Sequence, residues 1–584
     1  MRIPTLALAL VFPFAALAQQ AADAVQPELA TATQAKARGE AVTGTKWMIA
    51  AANPLAVKAG ADVLARGGSA ADAAIATQLV LGLVEPQSSG LGGGAFVVWY
   101  DAASGKVTTL DARETAPSGA KPTRFLDGNG EPLKFFDAVV GPKSVGVPGT
   151  PRLLIELQAR YGKVDWDGLF DPALKLAEEG FEVSPRLAQL VADDKERLSK
   201  FPETAAYFLP GGKPIEQGSL LRNPAYAATL KRLQESWVED FYEGETAKAV
   251  LAALKSAAGD DPVTMTADDL QAYRVVEREA VCAPFMNHDV CGMGPPSSGA
   301  LTVGQILGMA HVKGIVDLAP DDPKAWRIIG DASRLAFADR GRYMADSDYV
   351  PMPTKGLVDA GYLRKRADLI AGETALEPDA VVPGEPTWDH ARLQADDESI
   401  ELPSTSHISI VDAQGNALSM TTTIENGFGS RIMAAGFLLN NELTDFSFRT
   451  HKDGVPIANR VEPGKRPRSS MAPTIVLREG KPVLVVGSPG GSRIIGYVAQ
   501  AIVNHLAWGM DPQKAVAAGH LVNRFGTYDL EEGTEAVELQ PALEAMGYET
   551  NVRALTSGLH AIAVEEGKLV GGADPRREGI VLAE

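Results

Sequence analysis

Cysteine, aromatic residues and clustered positive charge are all scarce in this chain of 584 residues. It has 2 cysteines, which excludes a disulfide-knit scaffold and any zinc or iron–sulfur site built on four cysteines. Acidic residues outnumber basic ones by 74 to 55, for a net charge of −19, and no dense run of Lys and Arg offsets this excess. Because such a chain repels polyanions, we expect no nucleic-acid partner.

Common cofactor and metal motifs are missing as well. The sequence has no P-loop, no HExxH motif and no GxSxG elbow, and its 8 histidines form no i, i+4 pair. Gly90 to Ala95 has the GxGxxG/A spacing of dinucleotide-binding folds, but that fingerprint follows a strand and opens a helix. Here a predicted helix precedes it and a predicted strand follows. We therefore expect neither a metal nor a cofactor.

Long apolar runs are limited to the N-terminus. After Arg2, residues Leu6 to Leu17 are nearly all apolar, and Ala16-Leu17-Ala18 fits a small-x-small cleavage box. The run is too short to cross about 30 Å of hydrocarbon as a helix. Residues 1–18 are therefore predicted to be a cleaved export signal rather than a membrane anchor. We expect a periplasmic or secreted protein without a membrane span.

Cys282 and Cys291 flank Pro284 and the turn-forming Asn287-His288-Asp289, which predicts two short strands joined by a turn. Export makes a disulfide permissible. The two cysteines could either bridge this hairpin or remain as separate buried thiols.

Helical and strand patterns alternate along the rest of the chain. Helices are predicted at 54–66 and 69–84, the second with a capping box from Ser69 and Asp72. A strand at 95–100 and its hairpin partner at 107–112 follow, ending at Arg113. Residues 376–400, rich in Pro, Asp and Glu, are predicted to be an exposed, mobile connection. Strands predominate after residue 400, which makes this the clearest boundary in the sequence.

A β-hairpin begins just after that boundary. The strands 407–411 and 417–424 are joined by turn chemistry at 412–416. If Asp412 lies opposite Asn416, then Thr405 faces Thr423, and Glu425 lies on the same strand face as Thr423. Taken alone, this is also compatible with an ordinary Thr–Thr pair across two strands.

Two further segments carry candidate polar groups. Gly490 and Gly491 lie between a buried strand at 483–486 and a predicted helix at 493–506, where backbone N–H groups can bind an anion or a developing oxyanion. The alternative is a tight turn from strand to helix. Ser469 and Ser470 lie between a loop and the next strand.

With these segments, the chain resembles the γ-glutamyltranspeptidases, or glutathione hydrolases, of the N-terminal-nucleophile hydrolase superfamily. The blocks that carry the resemblance span most of the chain: Asn53-Pro54, residues 67–73, 89–94, Asp111 to Glu114, 296–299, 405–407, 439–441, 466–471 and 487–492. The resemblance implies an α/β (α+β) fold, the four-layer αββα sandwich. It also implies a precursor that cuts itself between Ser404 and Thr405 into subunits 19–404 and 405–584, which stay together as a heterodimer.

The resemblance also implies roles for single residues. Thr405 is the nucleophile and its new α-amino group the base, with an ordinary pKa of about 8. Thr423 orients the hydroxyl, and Gly490 and Gly491 provide the oxyanion hole. The donor's α-carboxylate is bound by Arg113, Ser469 and Ser470, and its α-ammonium by Asp445 with Glu442 beside it. Glu425 stands where better-known bacterial members have Asn, which gathers three acids around one ammonium. The family's lid corresponds to the loop between Asp445 and Ser469, here without a Tyr.

The implied function is cleavage of γ-glutamyl amides such as glutathione and transfer of the γ-glutamyl group to water, amino acids or peptides. A related acylase acting on glutaryl side chains of cephalosporins is the nearest alternative. A glutaryl group lacks the ammonium and would leave Asp445 unpaired, which disfavours it. A non-catalytic secreted protein on the same fold is a further alternative, against which the intact Thr405, Thr423, Gly490 and Gly491 argue.

Overall fold

The computed structural model describes residues 27–259, 262–388, 393–397, 399 and 404–584. The predicted export signal at 1–18 lies outside the described residues. Two seven-stranded antiparallel sheets dominate the fold. Sheet 1 contains, in spatial order, Ile580–Ala583, Met48–Ala51, Ser406–Val411, Ala417–Thr423, Gly94–Asp101, Lys106–Ala112 and Val276–Arg278. Sheet 2 contains Val42–Gly44, Lys568–Ala573, His560–Glu565, Lys481–Gly487, Thr474–Arg478, His288–Gly292 and Val281–Phe285.

Side-chain alternation along the central strands separates three apolar layers. In sheet 1, Ile408 and Ile410 point toward one set of helices, whereas Val411 points toward sheet 2. In sheet 2, Ile475 points toward sheet 1 and Val476 toward a second set of helices. Both sheets are thus covered on both faces, and the layers run helix, sheet, sheet, helix. This is the αββα sandwich that the family resemblance implied.

Helices cover the outer face of each sheet. Against sheet 1 pack, among others, Pro54–Ala65 and the fully buried Ala70–Val84, which begins with the predicted capping box of Ser69 and Asp72. Gly299–Val312, Pro323–Tyr343 and Ile494–Ile502 pack against sheet 2. The other α-helices are Pro27–Ala37, Phe135–Val139, Thr150–Tyr161, Asp171–Glu179, Pro185–Asp193, Lys195–Leu198, Pro202–Phe208, Pro224–Ser236, Glu239–Glu243, Glu245–Ala258, Ala267–Ala272, Thr354–Leu357, Ala360–Asp368, Pro512–Ala517 and Gln540–Ala545.

Smaller sheets of two or three short strands lie in the connections between the main elements. They are Phe181–Glu182 with Leu220–Leu221, Met433–Ala434 with Phe437–Leu438, His451–Lys452 with Val455–Pro456, and the group Leu521–Asn523, Tyr528–Glu531 and Thr550–Arg553. The pair at 451–456 lies within the segment assigned to the lid.

The parts of the chain before and after Ser404 interleave in both sheets. Ser406–Val411 pairs with Met48–Ala51, which in turn pairs with Ile580–Ala583 near the C-terminus. In sheet 2, Thr474–Arg478 pairs with His288–Gly292. Breaking one peptide bond at residue 404 leaves all these backbone ladders intact, so the two pieces have a physical reason to stay together.

The expectation of an exposed connection at 376–400 is wrong for residues 394–397. Ala395 donates its N–H to the carbonyl of Pro456 at 3.0 Å, and Asp397 forms an ion pair with Arg468 at 2.9 Å in which both side chains are buried. The acidic composition suggested solvated charge. In the fold, a buried guanidinium neutralises Asp397 instead.

The hairpin at 281–292 contains a disulfide. Cys282 lies directly opposite Cys291 in the antiparallel register, and the two sulfurs are bonded. None of the helices in the described part of the chain combines the length and hydropathy needed to cross a bilayer.

Candidate active site

The hairpin at the centre of sheet 1 brings Thr405 beside Thr423. Ser406 pairs with Thr422 and Val411 with Ala417, which is the register that the turn at 412–416 predicted. The hydroxyl oxygens of Thr405 and Thr423 are 3.2 Å apart. The Thr423 oxygen also accepts the backbone N–H of Glu425 at 2.8 Å, so its orientation is fixed from a second side.

The peptide bond before Thr405 is held in an unusual way. Thr405 has φ of 91°, in the left-handed region that a β-branched residue rarely enters. A conformation of this kind costs about 1–3 kcal/mol. The carbonyl oxygen of Ser404 accepts the N–H of Gly490 at 3.1 Å, and that of Thr405 accepts Nη1 of Arg577 at 2.9 Å. The backbone at Thr405 is therefore strained, and the Ser404 carbonyl that precedes it is polarised.

The two glycines that follow sheet 2 are required by their backbone. Gly490 has φ of 138° and Gly491 has φ of 60°, and both angles disfavour any residue with a Cβ. A Cβ on Gly490 would also lie 2.7 Å from a ring carbon of Tyr497. This geometry aims the Gly490 N–H at the Ser404 carbonyl.

Arg113 follows the strand Lys106–Ala112 and is buried at the base of the site. Its terminal nitrogens form ion pairs with Glu442 and Asp445, which belong to the single 3-10 turn Glu442–Asp445. Its other donors bond the carbonyls of Pro467 at 3.2 Å and Arg468 at 2.9 Å. The pocket thus neutralises its own arginine with the two acids that were expected to bind an ammonium.

A clamp from the first part of the chain holds the loop of Ser469 and Ser470. Ser298 donates its hydroxyl to the carbonyl of Ser469 at 2.7 Å. Arg340 donates Nε to Ser298 Oγ and Nη2 to Ser470 Oγ, both at 2.8 Å. Since Arg340 satisfies an acceptor site on Ser470, the hydroxyl hydrogen of Ser470 is directed elsewhere.

Asn440 and Asn441 support the acidic turn. Asn440 Oδ1 accepts the N–H of Glu442 at 3.0 Å, and its amide donates to Gly92 O at 2.7 Å. The amide of Asn441 donates to a carboxylate oxygen of Glu425. The expectation that Glu425 continues the strand face of Thr423 is wrong, because the strand ends at Thr423 and Glu425 has φ of 74°. The turn nevertheless returns the Glu425 carboxylate to the site.

One cavity collects nearly all the residues predicted for the site. It has a volume of about 20 Å³, room for about one water molecule, and its lining includes Arg113, Thr405, Thr423, Glu425, Glu442, Asp445, Ser469, Ser470 and Gly491. Gly490 is adjacent to this cavity, because its N–H donates to the carbonyl of Ser404, the residue before Thr405. Among the described residues, no group of three or more His, Cys, Asp or Glu side chains is arranged to hold a metal ion.

Sequence reasoning missed three residues of this neighbourhood. Arg340 lies on a long helix that also carries Arg327, Arg334 and Arg342, and nothing local distinguishes it. Arg577 contacts the Thr405 carbonyl from near the C-terminus. Glu114 is fully buried beside Arg113, and its place in the Asp111 to Glu114 block was the available signal.

Known proteins are similar to this chain over most of its length. A model of the gamma-glutamyltranspeptidase family matches residues 56–584. The chain is 36% identical over 558 residues to the glutathione hydrolase proenzyme of Bacillus subtilis strain 168, covering 92% of each. It is 33% identical over 552 residues to the acylase ACY 1 proenzyme of Pseudomonas sp. strain V22, covering 93% of this chain and 94% of the acylase. The crystal structure of a cephalosporin acylase from Bacillus halodurans is similar with a TM-score of 0.81 at 26% identity, covering 93% of this chain and 97% of that one.

Proposed function

The chain belongs to the γ-glutamyltranspeptidase family, and we propose that it is a self-processing glutathione hydrolase whose nucleophile is the Thr405 hydroxyl. The observation that carries this proposal is the contact of Gly490 N–H with the Ser404 carbonyl beside the paired hydroxyls of Thr405 and Thr423. One hydrogen-bond donor, one hydroxyl and one polarised peptide carbonyl thus meet beside a charged pocket.

Maturation uses these groups on the chain itself. The Thr405 oxygen attacks the carbonyl carbon of Ser404, and the negative charge that develops on the carbonyl oxygen is stabilised by Gly490 N–H. The hydroxyl proton passes to the Thr405 nitrogen as the bond from Ser404 to that nitrogen breaks, and an ester remains. Water then cleaves this ester, leaving a carboxylate on Ser404 and a free α-amino group on Thr405. Cleavage also frees Thr405 from its left-handed backbone angle.

Turnover repeats the chemistry on a γ-glutamyl donor. The α-amino group of Thr405 takes the hydroxyl proton, and the oxygen attacks the γ-carbonyl carbon. The N–H groups of Gly490 and Gly491 stabilise the oxyanion, the amine product leaves with the proton, and a γ-glutamyl ester forms on Thr405. Water then releases glutamate. An amino acid or peptide amine in place of water gives transfer instead.

The donor binds by separating the ion pairs of Arg113. Its α-carboxylate takes the place of the acids on the guanidinium, assisted by the hydroxyls of Ser469 and Ser470. Its α-ammonium meets Glu442 and Asp445 as they are released. Each buried charge exchanges one partner for another, so none is left unpaired. A buried charge without its partner would cost about 3–5 kcal/mol.

Acylase activity on glutaryl amides is the second candidate, favoured by the similarity to acylases. A glutaryl group has a carboxylate that can bind Arg113 but no ammonium that can bind Glu442 and Asp445. It would release Glu442 and Asp445 from their cation without replacing it, so the pocket supports γ-glutamyl donors better.

Export and subunit boundaries belong to the same proposal. Residues 1–18 direct export, residues 19–404 form the large subunit and residues 405–584 the small one. Mass spectrometry of both subunits from the exported fraction locates each end.

The test is a denaturing gel combined with turnover of a γ-glutamyl anilide, with and without a dipeptide acceptor. Wild type should give two bands and activity, Thr405→Ser two bands more slowly, and Thr405→Ala a single inactive band. Thr422→Ala is the matched control for Thr405→Ala. It removes the same side-chain atoms from a residue next to Thr423 whose side chain lies on the opposite face of the strand. Two bands from Thr405→Ala would refute the nucleophile. Faster turnover of a glutaryl than a γ-glutamyl anilide would favour the acylase.

A further inference from the structure

A fourth acid, Glu114, lies beneath the donor pocket. Its side chain is 0% exposed, and among the described residues no N–H or O–H group donates to either carboxyl oxygen. Gly94 makes room for it, since a Cβ there would lie 2.4 Å from Glu114 Oε2. Such a buried, unsatisfied carboxyl is costly as an anion.

The carboxyl of Glu114 faces that of Glu442, which forms an ion pair with the neighbouring Arg113. Two carboxyl groups can bond each other only when one holds a proton. Glu442 uses one oxygen to pair with Arg113, while its other oxygen has no N–H or O–H donor within the described part of the chain. The free oxygen is thus available to Glu114.

Counting charge around this pair leads to the same conclusion. The titratable groups that face it are Arg113, Glu425, Asp445, Tyr242 and Tyr273. The two tyrosine hydroxyls donate to backbone carbonyls. Arg113 faces both carboxyls of the pair and also pairs with Asp445, so ionising Glu114 as well as Glu442 would place three carboxylates around one buried guanidinium. Like charges held this close force at least one carboxyl to keep its proton.

We propose that Glu114 and Glu442 share one proton before the donor binds, and that the donor's α-ammonium expels this proton when it binds. The inference rests on the proposed function and deepens it. At the two carboxyls one positive charge, the ammonium, replaces another, the proton, so the charge there does not change. Glu114 is then a specificity-determining residue, because a glutaryl group cannot displace the proton.

The pH range of this exchange follows from burial. Burial raises the pKa of Glu114 to about 8 and holds the pKa of Glu442 well above its usual range. Below about pH 8 the pair is protonated, and each ligand ammonium that binds releases one proton. Affinity for L-glutamate should therefore rise by about tenfold per pH unit below pH 8 and level off above it.

Glu114→Gln is the decisive variant. The glutamine amide can donate to Glu442 as the protonated acid does, so Glu442 stays ionised at every pH in this range. The variant should bind L-glutamate at pH 6.5 at least as tightly as wild type and lose the pH dependence. If the substitution merely damaged the pocket, the variant would bind L-glutamate more weakly than wild type.

The experiment is calorimetric titration of the processed enzyme with L-glutamate, and with glutarate as the ligand that lacks the ammonium. Paired buffers with different ionisation enthalpies give the number of protons released. We expect close to one for L-glutamate on wild type and none for glutarate. The Thr405 amine titrates in the same pH range and could also release protons. The difference in proton release between wild type and Glu114→Gln therefore isolates the contribution of the acid pair. Glu425→Gln removes a neighbouring acid but keeps the pair, so it should still release the proton.

Equal proton release from wild type and Glu114→Gln would overturn the inference and leave the proposed function standing. Failure of wild type to bind L-glutamate would overturn both. Should Glu114→Gln not fold, infrared difference spectra of wild type decide the question. L-glutamate should remove a protonated-carboxyl band, and an unchanged band refutes the proposal.

Discussion

Replacing Gly490 with alanine tests the shared oxyanion donor most directly. Alanine at φ of 138° is strained by about 1–3 kcal/mol, and its Cβ would lie 2.7 Å from the Tyr497 ring. That ring is buried and packs on His520 with 4.3 Å between centroids, so it has little freedom to move away. The backbone must shift instead, which takes the N–H away from the Ser404 carbonyl.

The expected loss follows from that single hydrogen bond. Removing one oxyanion donor costs about 2.7–4 kcal/mol, or 10²–10³ in rate. Gly490→Ala should therefore slow both self-cleavage and kcat by this factor, with a smaller effect on KM because the donor's charged end lies at Arg113.

The assay is the rate at which purified precursor separates into two bands, followed by steady-state kinetics of the processed fraction. Gly480→Ala is the matched control, since Gly480 also has a positive φ, 75°, but a Cβ there meets nothing within 4 Å. It should lose stability without losing rate. If Gly490→Ala cleaves itself as fast as Gly480→Ala, the assignment of this N–H to the oxyanion hole is refuted.

Two further variants probe the donor pocket. Asp445→Asn removes one partner of Arg113 and the charge that a glutaryl group cannot satisfy, so the ratio of glutaryl to γ-glutamyl turnover should rise on the order of tenfold, from about 1.5 kcal/mol for one charged hydrogen bond. Steady-state kinetics with both anilides measures the ratio, and a proportional fall of both activities would contradict the assignment. Arg340→Lys cannot hold Ser298 and Ser470 together, so KM for the γ-glutamyl donor should rise by about tenfold while self-cleavage and kcat change little. An unchanged KM would mean that Ser470 needs no support from Arg340.

Local interactions made the hairpin at 405–423 predictable. Turn residues at 412–416 and alternating apolar residues set the register, and every group involved is close in sequence. The same holds for the capping box at Ser69. The layer order of the fold was expected from the family resemblance, which the residue blocks carried.

The state of the donor pocket was not predictable in this way. Arg113 and Glu442 are 329 positions apart, and the sequence does not show that they form an ion pair. Nor does it show that Asp397 is buried against Arg468 rather than solvated, or that the chain turns at Glu425. Each outcome depends on which charges the fold brings together and on how far it excludes water.

By itself, the sequence determined the register of the hairpin at 405–423 and the capping box at Ser69, because these depend on side-chain periodicity and turn preference between near neighbours. The residues proposed to carry the chemistry followed from the resemblance to the family. Only the tertiary structure decided the strain at Thr405, the clamp from Arg340 to Ser470 and the burial of Glu114 against Glu442. The physical reason is that backbone strain, hydrogen-bond geometry and the cost of a buried charge depend on neighbours supplied by distant parts of the chain.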